Sequence, residues 1–368
     1  MFAERLSLLR AQMAAQQVDA LLLSVGADLP YFCGYEAMAL PRLTMLVVPR
    51  DGDARLIVPR LEAPRVVERP GVFKMAVWDE TDDPIALARS LIGSASVVAV
   101  GDRMWAGFLV DLARLLPRAE FRRASEVTSP LRSVKDAAEV ESLRAAAAAA
   151  DRVAVALRSG DIELAGRTEA DVSAELGRRL LAEGHQRVNF AIVAAGENAA
   201  SPHHEPGERV IGPGEVVLCD FGGTMADANG VGYCSDITRC VHLGDPPPDL
   251  ADAYDVLFEA QAAQVAAAVV GRPCQEVDRV GRAMIAEAGF GHRFIHRTGH
   301  GIGTEAHEDP YIVEGNRTEL RAGHAFSIEP GIYLPGRWGL RLEDIVVAAA
   351  DGPDNLSTTD HRLAVIDA

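Results

Sequence analysis

Gly214-Glu-Val-Val-Leu-Cys-Asp220 and Gly323-His-Ala-Phe-Ser-Ile-Glu329 are the segments on which the reading of this chain turns. Each leaves a turn glycine, runs as an apolar strand and ends on a carboxylate. A second acid follows each on another strand-like segment: Asp236 in Ser235-Asp-Ile-Thr238, and Glu343 in Leu342-Glu-Asp-Ile-Val-Val347. Burying one unpaired carboxylate costs several kcal/mol, so any one of these acids alone reads as a strand end in solvent. Four in a repeated pattern read differently. Two hairpin-like units would each offer a pair of acids, facing four carboxylates across one cleft.

The histidines between the two units extend that reading. His296, His300 and His307 lie in Phe294-Ile-His-Arg-Thr-Gly-His-Gly-Ile-Gly-Thr-Glu-Ala-His-Glu-Asp-Pro310. Glycines on both sides of His300 permit close backbone approach. Neutral imidazole with carboxylates is a ligand set for manganese, cobalt, iron or zinc. As a phosphate loop the segment lacks the Lys-Ser/Thr of a P-loop and the strand–helix setting of a dinucleotide site. The five cysteines, Cys33, Cys219, Cys234, Cys240 and Cys274, form no CxxC pair, which excludes a thiolate zinc site and a disulfide framework and fits a reducing cytoplasm. Cys219 and Cys234 flank candidate ligands and read as small apolar fillers.

Outward from the acids, 368 residues suggest about two domains, and 48% hydrophobic residues supply two cores. Acidic residues outnumber basic ones by 53 to 36, a net charge of -17, which argues against nucleic acid or an anionic membrane as the main partner. The start lacks the apolar stretch of a signal peptide, and no run of about 18 apolar residues occurs. A soluble cytoplasmic protein is expected. Residues 3–17 have helical spacing, and 19–25 read as a buried strand. Segments 44–49 and 54–58 flank Asp51-Gly52 as a hairpin, and 96–100 is a strand before a helix over about 104–116. That mixture predicts a small α/β domain over 1–133 with a mixed sheet. Beyond Ser129-Pro130, helices are expected at 134–158, after Thr168-Glu-Ala-Asp171 (a capping-box pattern), at 249–269 and at 275–288, within a domain over 134–368.

At this point the chain resembles a known family, the pita-bread-fold metallopeptidases that include prolidases (Xaa-Pro dipeptidases), aminopeptidase P and methionine aminopeptidases. The resemblance is carried by Ser201-Pro-His-His-Glu-Pro206, Asp220-Phe-Gly-Gly223, Tyr233-Cys-Ser-Asp-Ile-Thr-Arg239, Thr298-Gly-His-Gly-Ile-Gly303, Ala306-His-Glu-Asp-Pro310, Glu329-Pro-Gly-Ile-Tyr333 and Arg341-Leu-Glu-Asp-Ile-Val346. It spans about 134–368, and Tyr31-Phe-Cys-Gly-Tyr35 resembles the smaller N-terminal domain of the prolidase and creatinase branch. It implies an α/β N-terminal domain followed by an α+β pita-bread (creatinase/aminopeptidase-like) catalytic domain.

By the same resemblance, Asp220, Asp236, His300, Glu329 and Glu343 fall on the ligands of a site for two divalent ions, with manganese foremost and cobalt or zinc as alternatives. Asp236 and Glu343 would bridge the ions, Asp220 would bind one, and His300 and Glu329 the other. Glu329 matches the general base and His203 the histidine beside the scissile bond. His296, His307 and Arg341 match residues that hold substrate and stabilise the intermediate. Two ions about 3.5–4 Å apart lower the pKa of a bridging water and supply hydroxide near neutral pH. The implied activity is hydrolysis of the bond before proline in Xaa-Pro dipeptides by a cytoplasmic homodimer acting on small peptides. The alternatives are an aminopeptidase P-like enzyme and a hydrolase or lyase of a small non-peptide amide.

Four points stay as expectations. Arg341, two residues before Glu343, is expected to point away from the metals unless a bulge intervenes. Tyr333 is either a site residue or packing against the metal shell. His203 and His204 compete for the cleft. The gap from Asp220 to Asp236 is longer than the family pattern, and Asp227 stands within it; Met225-Ala-Asp-Ala-Asn-Gly230 reads as a turn, so Asp227 is expected in solvent and Asp236 on the returning strand.

Overall fold

Helix Phe2–Ala15 buries Phe2, Leu6, Leu9 and Met13, which share one helical face. The strands that follow are β1 (Ala20–Leu23), β2 (Met45–Pro49), β3 (Ala54–Pro59), β4 (Phe73–Trp78), β5 (Val97–Val100) and β6 (Glu120–Arg123). They form one mixed sheet in the order β4-β3-β2-β1-β5-β6, with β1 antiparallel to β2 and parallel to β5. Gly52, at φ +107°, makes the turn from β2 to β3, a conformation that needs no Cβ. Leu22, Val47, Ile57 and Val98 pack there with Ala88 and Leu112 from the covering helices. The short helix Asp28–Cys33 is too brief to announce itself by periodicity.

The computed structural model describes residues 1–367. The chain divides into two units: Met1–Arg132 together with Asn229–Val231, and the remainder from Ser133 onward. In the second unit Asp136 and Glu139 form a reciprocal capping box at the start of helix Ala137–Arg158. Thr168 caps Glu169–Ala182 by accepting from the Asp171 amide at 3.1 Å. Helices Pro248–Ala267 and Cys274–Glu287 follow.

The strands of this unit are β7 (Arg187–Ala195), β8 (Val216–Ala226), β9 (Gly232–Cys234), β10 (Ile237–Leu243), β11 (Gly299–Gly301), β12 (Glu308–Ile312), β13 (Ala325–Ile328), β14 (Gly331–Leu334), β15 (Trp338–Arg341), β16 (Asp344–Ala349), β17 (Gly352–Asn355) and β18 (Ala364–Ile366). One sheet has the order β18-β10-β8-β7 with β9 on β8; the other has the order β12-β11-β13-β16-β17; β14 and β15 form a separate ribbon. Both halves of the sequence echo are antiparallel pairs. Asp220 on β8 lies opposite Thr238 on β10, and Ile328 on β13 lies opposite Asp344 on β16. A bridge between Thr238 and Glu343 joins the two sheets at their acidic ends.

Alternation along β8 sorts its residues between two cores. Val217, Cys219 and Phe221 pack with Leu157, Leu176 and Leu180 of the first two helices. Val216 and Leu218 pack with Tyr254 and Leu257 on the opposite face, and Asp220 is the next residue on that side. No helix among the described residues is long and apolar enough to cross a membrane.

Candidate metal centre

Three groups of potential ligands converge where the two sheets meet. Asp220, Asp236 and Glu343 form one, His300, Glu329 and Glu343 a second, and Asp236, His300 and His307 a third; within each group the ligand atoms lie within 4.8 Å of one another. Asp236 is 3% exposed and Glu343 2%. Asp227 belongs to none of the groups; it is half-buried just past the end of β8.

The local scaffold aims each donor. His300 lies on β11, and its Nδ1 donates to the Gly301 carbonyl at 3.2 Å. Its Nε2 faces Glu329 Oε1 at 3.1 Å and Asp236 Oδ2 at 3.7 Å, donating to Glu329 when the ring is protonated and offering a lone pair to a cation when it is neutral. Ser327 Oγ donates to Glu329 Oε1 at 3.0 Å and accepts from the His300 amide at 3.0 Å, tying these two ligands to one hydroxyl. Thr238 Oγ1 donates to Glu343 Oε2 at 2.7 Å. Behind Glu343, the fully buried Arg239 donates to its carbonyl at 2.6 Å and to Asp344 Oδ1 at 2.8 Å.

Arg341 corrects the expectation made for it. Positions i and i+2 of an extended segment share a face, so Arg341 lies on the same side as Glu343. Its Nη2 donates to Asp220 Oδ2 at 2.6 Å, Nη1 to the Tyr333 hydroxyl at 2.9 Å, and Nε to Thr238 Oγ1 at 3.1 Å. Tyr333 is therefore wired into the site. His296 donates from Nδ1 to the Arg297 carbonyl at 2.7 Å, leaving Nε2 to accept from the Tyr333 hydroxyl at 2.9 Å. Both nitrogens of His296 are thus held within the protein. His307 lies against His300 with ring centroids 3.8 Å apart and the ring planes tilted by 34°.

The competition between His203 and His204 is also decided. His203 lines the cavity, whereas His204 Nε2 turns away to Glu169 at 2.8 Å. That cavity has a volume of about 320 Å³. Its polar wall holds the acids with His296, His300, His307, Arg297 and Arg341; Phe190, Ile192 and Pro202 form an apolar wall.

Charge in the cleft is unbalanced in a way that fits a cation. Burial, and then repulsion from Glu343, Asp220 and Glu329, raises Asp236 well above the ordinary carboxylate range. Glu343 is raised in the same way by burial and by Glu329 and Asp220. Asp220 is raised by burial despite Arg341. Burial pushes Glu329 up too, but the His300 hydrogen bond together with the charges of His300, His296 and Arg341 outweighs it and holds the group at about 2. Asp220 Oδ1 is buried with no hydrogen-bond partner among the described residues. An orphaned carboxylate oxygen, three raised acids and an imidazole lone pair facing acceptors form a hard oxygen-and-nitrogen donor set. Divalent ions satisfy every member of it.

Several site residues escaped the reading of the sequence. Thr238 follows Asp236 by two and Ser327 precedes Glu329 by two, so period-two spacing places each beside its acid. The apolar wall carries the same signal, since Phe190 and Ile192 alternate on β7. Arg297, inside the histidine segment, had only its position to recommend it.

Residues 141–350 match the model of metallopeptidase family M24, and residues 5–134 match the creatinase/prolidase N-terminal domain. The chain belongs to family M24. Among M24 relatives, the probable dipeptidase PepE of Mycobacterium tuberculosis is 41% identical over 99% of this chain and 96% of its own. The crystal structure of dipeptidase PepE from Mycobacterium ulcerans superposes with a TM-score of 0.91 at 41% identity, covering 100% of this chain and 98% of that one. A prolidase from Thermococcus sibiricus superposes with a TM-score of 0.93 at 32% identity, covering 100% and 99%. The two-domain pita-bread architecture and the metallopeptidase family thus stand together.

Proposed function

We propose that this M24 protein hydrolyses the peptide bond before proline in Xaa-Pro dipeptides, with two divalent ions as cofactors. The observation that carries the proposal is the convergence of three buried acids, the half-buried Glu329 and His300 on one cavity of about 320 Å³ with an apolar wall. That volume is at the small end of ligand pockets, which favours a short substrate. The amide to a proline nitrogen has no N–H, so its recognition must come from shape; Phe190, Ile192 and Pro202 offer the pyrrolidine ring an apolar face. The names of the relatives, dipeptidase and prolidase, support the same class.

In this reading Asp220, Asp236, His300, Glu329 and Glu343 would together hold the two ions. When bound, such ions supply Lewis-acid activation of the attacking water. Glu329, oriented by Ser327, takes the proton of that water and delivers it to the leaving amine. His203 donates a hydrogen bond to the carbonyl oxygen as charge develops on it. Arg341 fixes Asp220 and, through Tyr333, the His296 ring. His307 and His296 line the side from which substrate is held.

Manganese as the native ion and a homodimer as the working form belong to the same proposal; metal analysis and light scattering read both. The deciding experiment is a dipeptide panel on metal-stripped protein resupplied with manganese, cobalt or zinc. Xaa-Pro dipeptides are expected to be cleaved well above Xaa-Ala dipeptides and above longer Xaa-Pro peptides. Equal rates on all three classes would overturn the assignment.

A further inference from the structure

The loop that carries His203 is short of any core of its own, yet it is closely held. It leaves β7 at Ala195, passes through a short 3-10 helix over Gly196–Ala200 and a turn at Ser201–His204, and pairs with another segment's backbone at Gly207, whose carbonyl accepts from the Ala170 amide at 3.0 Å. Between those points the residues are mostly small or polar. What fills the inside of the loop is a carboxylate from elsewhere. Glu169, the first residue of helix Glu169–Ala182, is 0% exposed. It accepts from the Ala195 amide at 2.8 Å, from Asn198 Nδ2 at 3.0 and 3.2 Å, from His204 Nε2 at 2.8 Å and from the Gly207 amide at 3.5 Å.

A glutamate in a first helical turn needs only the helix dipole and solvent. Glu169 instead faces away from water and takes donors from both ends and the middle of the loop. Its bond to His204 has a particular consequence. Ser201–His204 is a tight turn closed by the His204 amide donating to the Ser201 carbonyl at 3.2 Å, and with His204 bound to Glu169 it is His203 that lines the cavity. The far side of the loop is held as well. Arg341 Nη1 donates to the Pro202 carbonyl at 3.3 Å, and Gly339 lies so close to the Ala199 carbonyl that a Cβ there would sit 1.8 Å from its oxygen.

We infer that Glu169 is a positioning residue for catalysis: it locks the 195–207 loop in the register that presents His203, rather than His204, to the substrate carbonyl. This rests on the role given to His203 in the proposed function. Glu169 touches neither the metal ligands nor the cavity, so it acts through the loop alone. Glu169→Gln keeps the shape but turns one of the two acceptor oxygens into a donor facing N–H groups, so the hold on the loop is weakened.

The test uses the metal-loaded full-length protein. Residues that orient a working group typically change activity about 10–100-fold, and Glu169→Gln is expected to lower kcat by that much. KM should move less than about 3-fold if binding groups are in place, and metal content should be unchanged. Hydrogen exchange is the second readout. Amides over 195–207 should exchange faster in Glu169→Gln, while segments 216–226 and 325–349 keep wild-type protection. In a His203→Ala background the further substitution Glu169→Gln should lower kcat by less than about 2-fold, because the loop then presents nothing for Glu169 to position. Wild-type loop exchange in Glu169→Gln, wild-type kcat, or an undiminished loss in the His203→Ala background would each overturn the inference. Should Glu169→Gln fail to fold, Asn198→Ala and His204→Phe each remove one donor and leave the carboxylate; faster loop exchange is expected in both, and its absence is disproof. Full activity of His203→Ala itself would refute the role given to His203, and with it the catalytic reason for the lock, whereas the exchange data judge the hold of Glu169 independently.

Discussion

Replacing Arg341 by Met tests the charge balance of the centre most directly. The guanidinium donates to Asp220, Tyr333, Thr238 and the Pro202 carbonyl, and Arg341 is 2% exposed. Two of these partners stay satisfied without it. Thr238 keeps Glu343 at 2.7 Å, and Tyr333 keeps His296 at 2.9 Å. The loss therefore concentrates on Asp220, whose Oδ1 is already unpartnered among the described residues. Removing one member of a buried ion pair costs about 3–5 kcal/mol because the other charge is left bare. At about 2–4 °C per kcal/mol for a domain of this size, the metal-stripped variant should melt about 6–20 °C below the metal-stripped parent. Bound cations give Asp220 a new partner, so the gap should shrink by at least about half when both proteins are saturated with manganese. Thermal melts followed by circular dichroism, in chelator and then in excess manganese, read both numbers. Arg341→Lys restores charge but not the fork that spans Asp220 and Tyr333, and should recover only part of the stability. An equal fall with and without metal, or a fall under about 2 °C in chelator, would show that Asp220 does not depend on Arg341 for its charge partner.

Glu329→Gln should lower kcat by about 10²–10⁴-fold, since the amide cannot take a proton from the attacking water; near-normal turnover by purified variant would refute the base assignment. Asp236→Ala should lose at least one ion and nearly all turnover while Asp227→Ala keeps both, as metal analysis of the two variants will read; the reverse pattern would move the ligand to Asp227. For the metal-stripped protein, Asp236, Glu343 and Asp220 carry raised values, so the native state binds more protons than the unfolded chain above about pH 4. His185, His296, His307 and His324, held below their ordinary range by burial, act the other way below about pH 6.5, so the melting temperature in chelator is expected to fall from about pH 7 to 8 and manganese to flatten that fall; a flat or rising profile over that interval contradicts the assigned shifts. Lys135 Nζ meets Glu308 Oε1 at 2.6 Å with side chains 1% and 8% exposed, so Lys135→Met should destabilise by about 3–5 kcal/mol in denaturant melts, with recovery on adding Glu308→Leu.

Asp227 and Asp236 illustrate how far spacing carries. Asn229-Gly230 marks a turn wherever it occurs, and the apolar pattern from Val231 resumes beyond it. That is enough to put Asp236 near the start of a returning strand, and Asp236 directly precedes β10, whose first residue Ile237 lies opposite Phe221 of β8. Arg341 illustrates the opposite case. Its partner Asp220 lies on a different strand of a different sheet, and no local pattern links the two.

The chain by itself determined the elements and the family. Turn glycines, the apolar runs of β8 and β13, capping residues at Asp136 and Thr168, and five acids and histidines in order are properties of neighbouring residues, and they are legible because the forces behind them are local. The tertiary structure alone decided which groups share a hydrogen bond across sheets. His203 and His204 are identical in chemistry and adjacent in the chain; what separates them is a buried carboxylate on a helix that precedes both by more than thirty residues. Tyr333 was equally consistent with packing and with the site until Arg341 and His296 met on its hydroxyl. A buried polar atom must find a partner, and where that partner stands is set by how the sheets meet and by no stretch of sequence alone.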